Sequence, residues 1–185
     1  MIYFDKNILV NTDKIVFFDI DQTLSSMNEF FAMQQSKSYD AKKRNLYNEK
    51  WNKIKKFDFV HLSILSVNLF ASLLEQHNAK AVCVSSWNIK GYNNPEEYLN
   101  QLKTAFESLS GEFPKDWLLG FSGASGGDRH LYSVTPFLEE TNFKGKYISI
   151  DDGAFEYSDQ SYTVQVNGQH GFSRENFMEA SEKLK

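Results

Sequence analysis

Two pairs of carboxylates mark this chain as a candidate for chemistry. Asp19 and Asp21 stand two residues apart directly after the apolar run Ile15-Val16-Phe17-Phe18, and Asp151-Asp152 follow the run Tyr147-Ile148-Ser149-Ile150. Carboxylates at the end of a buried strand are costly unless a cation or a reacting group sits beside them. In open parallel sheets, ligands bind outside the carboxyl ends of the strands, where both pairs fall. If the backbone stays extended past Phe18, Asp19 and Asp21 point the same way and converge. An Asx-type turn is the competing reading for either pair alone. Two pairs in one chain are harder to explain as turn chemistry. Thr23 follows the first pair, and Ser85, Ser86 and Trp87 follow a third apolar run, residues 81–84.

Those groups need strands beneath them and helices between the strands. Residues 15–18 read as a strand buried on both faces. Residues 1–10 read as a short hairpin, with Asp5-Lys6-Asn7 as its turn. Leu62, Leu65, Leu69 and Leu73 recur at helical spacing within residues 60–77, and Asn78 is placed to end that helix. Residues 81–84 are then a second buried strand, which makes a strand–helix–strand unit and a parallel sheet. Asn94-Pro95-Glu96-Glu97 opens a helix running to about residue 110, with a cap, a proline and early acids. Residues 117–121 read as a third strand, followed by a Gly/Ser-rich loop, 122–127. Asp128 reads as the cap of a helix through Glu140, broken or kinked at Pro136. Residues 147–150 are a fourth strand. Residues 162–166 alternate as an edge strand, Asn167-Gly168 is a turn, and Ser173 caps a last helix, 174–184.

Composition fits a single α/β domain over residues 1–185, with 41% hydrophobic and 24% charged residues. No apolar run approaches the roughly 20 residues that cross a bilayer, so no membrane partner is expected. The first residues lack the basic region and long apolar core of a secretion signal, and the lone Cys83 suits a reducing compartment. A cytoplasmic location is the expectation. Net charge is unevenly spread: residues 37–56 hold eight basic against two acidic side chains, net +6, while the rest holds 12 against 22, net −10. Residues 25–57 read as a small helical or flap-like insertion. Its Lys42, Lys43 and Arg44, interleaved with aromatics, could grip a phosphate chain, as could Trp87 by stacking on a base. A solvated helical face and a core-edge aromatic are the competing readings. The four histidines show no metal-ligand spacing.

In kind and order, Phe18-Asp19-Ile20-Asp21-Gln22-Thr23-Leu24, Val84-Ser85 and Ile150-Asp151-Asp152 resemble the first, second and fourth motifs of the haloacid dehalogenase-like hydrolase superfamily. The resemblance spans about residues 12–180. It implies a Rossmann-like, mostly parallel sheet with helices on both faces and a Mg²⁺-dependent phosphatase with a small cap or none. Asp19 would be the nucleophile, forming an aspartyl-phosphate, and Asp21 the general acid and base. Asp19, Asp151 and Asp152, with the backbone carbonyl of Asp21, would hold Mg²⁺. Ser85, with Ser86 as the alternative, and Arg129 would hold the phosphoryl group. The chain departs from the pattern at two points. Gln22 stands where the family more often has glycine, and Arg129 stands where it usually has lysine, a different kind of grip. The expected substrate is a phosphorylated small molecule, a nucleotide or a nucleic-acid end, with oligomerisation as one way to close an open site. A non-catalytic phosphate-binding protein on the same fold and a phosphotransferase are the rival functions.

Overall fold

The computed structural model describes residues 1–28, 62–86, 88, 93–123, 127–153 and 157–185. Six strands form one mixed sheet in the order β1-β4-β3-β2-β5-β6. They are β1 (Ile2–Phe4), β2 (Lys14–Phe18), β3 (Lys80–Cys83), β4 (Leu118–Ser122), β5 (Lys146–Asp151) and β6 (Thr163–Gln165). β2, β3, β4, β5 and β6 pair in parallel, and only β1 runs antiparallel, against β4. Among the described residues the α-helices are α1 (Lys6–Leu9), α2 (Ile64–His77), α3 (Pro95–Leu109), α4 (Thr135–Thr141) and α5 (Arg174–Lys183), and a π-helical segment, His130–Val134, leads into α4.

Alternation along β2 explains why helices lie on both sides of the sheet. Val16 and Phe18 join the cluster formed with Phe70 and Leu74 of α2, Leu102 and Phe106 of α3, and Ala180 of α5. Ile15 and Phe17 face the other way, into a smaller cluster with Val134, Phe137 and Tyr157, against which Ile8 and Leu9 of α1 pack. Both Phe17 and Phe18 are fully buried, each contributing about 1.5–3 kcal/mol of burial. The chain is therefore an α/β protein of the Rossmann-like class. Among the described residues no helix is long and apolar enough to cross a membrane.

Local signals set the helix ends. Ser63 accepts a hydrogen bond from the Ser66 N–H at the start of α2, and Asn78 closes that helix in the left-handed region, φ 47°. Asn94 caps α3, with Pro95 in its first turn. Ser173 and Asn176 form a reciprocal capping box on α5.

Two expected elements differ. The N-terminal hairpin does not form. Asp5 Oδ1 accepts from the Asn7 N–H at 2.8 Å and the Ile8 N–H at 3.4 Å, so the expected turn starts α1 instead. That helix delivers Ile8 and Leu9 to the smaller cluster, while β1 takes β4 as its partner. The helix expected from Asp128 to Glu140 starts with a π-helical segment before α4. Pro136 has no N–H to give to the preceding turn, and the wider π spacing lies just before it. The strands and the remaining helices fall within a few residues of their expected positions.

Most of the proposed insertion, with Lys42, Lys43 and Arg44, lies outside the described residues, and so does Trp87. The chain on either side of residues 29–61 is tied together by a Ser25–Leu62 bridge and by the Ser63 N–H donating to the Leu24 carbonyl at 2.8 Å.

Candidate metal centre at the strand ends

β2, β3 and β5 lie side by side and stop in register, Phe18 opposite both Cys83 and Ile150. The ladder extends one step further on each side. The Asp19 N–H donates to the Ile150 carbonyl at 3.1 Å, and the Val84 N–H donates to the Phe18 carbonyl at 2.9 Å. Asp19, Ser85 and Asp151 are thus delivered to one edge of the sheet by three neighbouring strands. Asp19, Ser85 and Asp151 are buried, Asp152 is half-buried, and Ser86 is exposed.

Asp19, Asp151 and Asp152 each offer a carboxylate oxygen within 4.8 Å of the others. The side chain of Asp21 is not in this cluster. The backbone stays extended only through Ile20, whose side chain is buried in the larger core. The Ile20 carbonyl then accepts from the N–H groups of Thr23, Leu24 and Ser25, and the chain turns away at Asp21. Gln22, in that turn, has φ 54°, the left-handed conformation that favours glycine. Its N–H donates to Ser25 Oγ at 2.6 Å. Asp21 thus begins a turn, and its carboxylate is not one of the cluster formed by Asp19, Asp151 and Asp152.

Arg129 enters the cluster from the other side. Its Nη1 lies 2.8 Å from Asp151 Oδ2 and 3.0 Å from Asp19 Oδ1. The first contact is a hydrogen bond. The second is an ionic contact without hydrogen-bond alignment, and Asp19 Oδ1 is a buried oxygen with no hydrogen-bond partner among the described residues. One guanidinium thus faces three carboxylates. With all three ionised, a mostly buried site carries a net −2, which favours a further cation.

The surroundings show the same imbalance. Burial first, and then the charge of Asp19, push the Asp151 carboxyl up to about 7, against the opposing pull of Arg129. Asp152 is raised by the same two causes in the same order. Burial alone would lower the Arg129 guanidinium, but Asp19 and Asp151 outweigh it and hold the group above its ordinary value. The Cys83 thiol, buried just beneath, is pushed up by desolvation, so it is an inert core group.

Several supports were not singled out from the sequence. Tyr157 is buried and donates its hydroxyl to Asp151 Oδ2 at 3.0 Å. The Gly153 N–H donates to Asp151 Oδ1 at 2.7 Å. Asn88, fully buried, donates to the carbonyls of Cys83 and Ser122 at 2.9 and 3.1 Å and accepts from the Tyr98 hydroxyl at 3.1 Å. It clamps the ends of β3 and β4 together. A buried amide after a strand was the only sequence signal available for it. Thr23, which follows the first pair, accepts from the Asp152 N–H at 3.0 Å and so joins the two acidic segments.

The donor set is all oxygen and anionic, which suits a hard divalent cation such as Mg²⁺ better than a thiophilic or imidazole-seeking metal. The unsatisfied Asp19 Oδ1 offers a lone pair to such an ion. Comparison of the chain with family models, with curated proteins and with solved structures gives no match.

Proposed function

We propose that this protein is a Mg²⁺-dependent phosphomonoesterase of the haloacid dehalogenase-like type. The observation that carries this reading is the meeting of Asp19, Asp151 and Asp152 at adjacent strand ends, with a buried Asp19 oxygen that has the Arg129 ionic contact but no hydrogen bond among the described residues. Bound Mg²⁺, held by these carboxylates and the Asp21 carbonyl, would supply charge neutralisation to the phosphoryl oxygens. The chain's own residues do the rest. Asp19 attacks phosphorus in line and the bond to the leaving oxygen breaks, giving an aspartyl-phosphate. Asp21, half-buried at the mouth, gives its proton to the leaving alcohol. It then takes a proton from the water that attacks the acyl-phosphate, and Asp19 and inorganic phosphate are released. Arg129 exchanges its hold on Asp19 and Asp151 for the phosphoryl oxygens, and Ser85 supports the same group. The substrate is a phosphomonoester, with nucleotides and nucleic-acid end phosphates favoured by the basic segment 37–56.

The test is hydrolysis of an aryl phosphate and of a panel of phosphorylated metabolites and oligonucleotides, with Mg²⁺ and with chelator. Chelator-sensitive release of phosphate that disappears in Asp19→Asn is the expected result. Absence of metal-dependent release from the unsubstituted protein across the panel would leave a phosphate-binding protein. Transfer of phosphate to an added alcohol at the expense of water would make it a phosphotransferase.

A further inference from the structure

We propose that Tyr157 is a positioning residue for the cation site, and this rests on the metal-dependent reading above. Its hydroxyl keeps the Asp151 carboxylate in its ligating orientation when the Arg129 guanidinium turns toward a bound phosphoryl group.

Asp151 is fixed at both oxygens. Oδ1 accepts from the Gly153 N–H, and Oδ2 accepts from two donors, Arg129 Nη1 at 2.8 Å and the Tyr157 hydroxyl at 3.0 Å. When Arg129 turns its guanidinium toward the substrate, the Tyr157 hydroxyl is the donor that stays on Oδ2. With Arg129 gone and no phenol present, Asp151 would be held by Gly153 alone and could rotate about its last side-chain bond. Tyr157 prevents that. Its ring is 2% exposed and packs in the smaller core cluster with Phe17, Val84 and Phe137, so the hydroxyl has little freedom. Burial and the neighbouring Asp151 charge raise the phenol well above its usual range, so it remains a neutral donor.

The loop that carries Tyr157 is tied to the segment that carries Arg129. The Ser158 N–H donates to Asp128 Oδ1 at 3.2 Å, the oxygen that also accepts from the Leu131 N–H at 3.2 Å. Backbone movement at Arg129 is therefore resisted by the loop holding Asp151's other donor, and the arginine side chain is left as the moving part. Partners of metal-binding carboxylates of this kind typically change metal affinity by roughly 10–100-fold when removed.

The experiment is Mn²⁺ titration of the full chain, with free ion followed by electron paramagnetic resonance, beside the metal-free melting temperature. Tyr157→Phe is expected to weaken Mn²⁺ binding by about 10-fold. The metal-free Tm should fall by no more than about 4 °C, since only one hydroxyl is lost and the ring remains. In an Asp151→Asn background the same change should have no further effect on affinity, because Tyr157 acts through Asp151. Affinity of Tyr157→Phe within about twofold of the parent overturns the inference. So does a weakening of Mn²⁺ binding by the same factor when Tyr157→Phe is added to the Asp151→Asn background. A parent chain that takes up no Mn²⁺ overturns the metal-dependent reading and this inference with it, whereas the first two outcomes leave that reading standing.

Discussion

Replacing Asp151 with Asn should have opposite effects on the metal-free protein and on its response to Mg²⁺. The three carboxylates present oxygens within 4.8 Å of one another, so each like-charge pair repels by roughly 3–4 kcal/mol at an effective dielectric of about 20. The Arg129 contact at 2.8 Å attracts by about 6 kcal/mol on the same scale. Asp151→Asn removes two repulsions and one attraction and also spares the cost of burying a charge. The Gly153 N–H keeps an acceptor in the amide oxygen and the Tyr157 hydroxyl can turn to accept from the new NH₂ group, while the Arg129 hydrogen bond goes with the attraction already counted as lost. The metal-free variant should therefore be as stable as the parent or more stable by about 1–2 kcal/mol, which raises Tm by roughly 2–8 °C in a chain of this size. The parent, with Mg²⁺ at about tenfold its Kd, should gain about 1.4 kcal/mol, or about 3–6 °C. Asp151→Asn should lose that gain.

Thermal melts with chelator and with Mg²⁺, at several pH values, read both effects. Because the folded-state value of Asp151 is raised from 3.8 to about 7, folding favours its protonated form. Its contribution to metal-free stability is therefore full below about pH 4 and is lost as pH rises toward about 7. Cation binding needs the ionised form, so the Mg²⁺-induced rise in Tm should be small near pH 5.5 and full near pH 8. A Mg²⁺ response that survives in Asp151→Asn would refute the reasoning. So would a variant that, with chelator present, melts far below the parent.

Two other substitutions test the scaffold, each by chemical denaturation. Asn88→Ala should cost about 3 kcal/mol, because it removes the amide that donates to the buried Cys83 and Ser122 carbonyls and accepts from the Tyr98 hydroxyl. A loss under about 1 kcal/mol would show that the clamp between β3 and β4 is dispensable. Gln22→Gly should stabilise by up to about 1 kcal/mol, since φ 54° at this exposed position strains any residue with a Cβ. Destabilisation would mean that the glutamine side chain, which lies against Gly168, contributes more than the strain costs.

Much of the fold was legible because its signals are local. Capping residues, helical spacing and apolar runs act over a few residues, and they placed α2, α3, α5 and the strands of the parallel sheet. The two acidic pairs were visible because charge directly after an apolar run is unusual wherever it occurs. What stayed hidden depends on partners distant in the chain. Ile2-Tyr3-Phe4 and Ile8-Leu9-Val10 flank a plausible turn, but β4 offered a longer-range edge and Asp5 capped a helix, so the hairpin lost. Asp21 lies in the turn after Ile20, outside the carboxylate cluster of Asp19, Asp151 and Asp152, and linear spacing does not foretell that turn.

The sequence by itself determined which carboxylates sit at strand ends, because burial and strand length are written in the pattern of apolar residues. Only the tertiary structure decided that Asp19 meets Asp151 and Asp152, that Arg129 bridges two of them, and that Tyr157 reaches Asp151 from the smaller core. Those contacts depend on the order of strands in the sheet and on how the connecting segments pack, and no stretch of neighbouring residues encodes either.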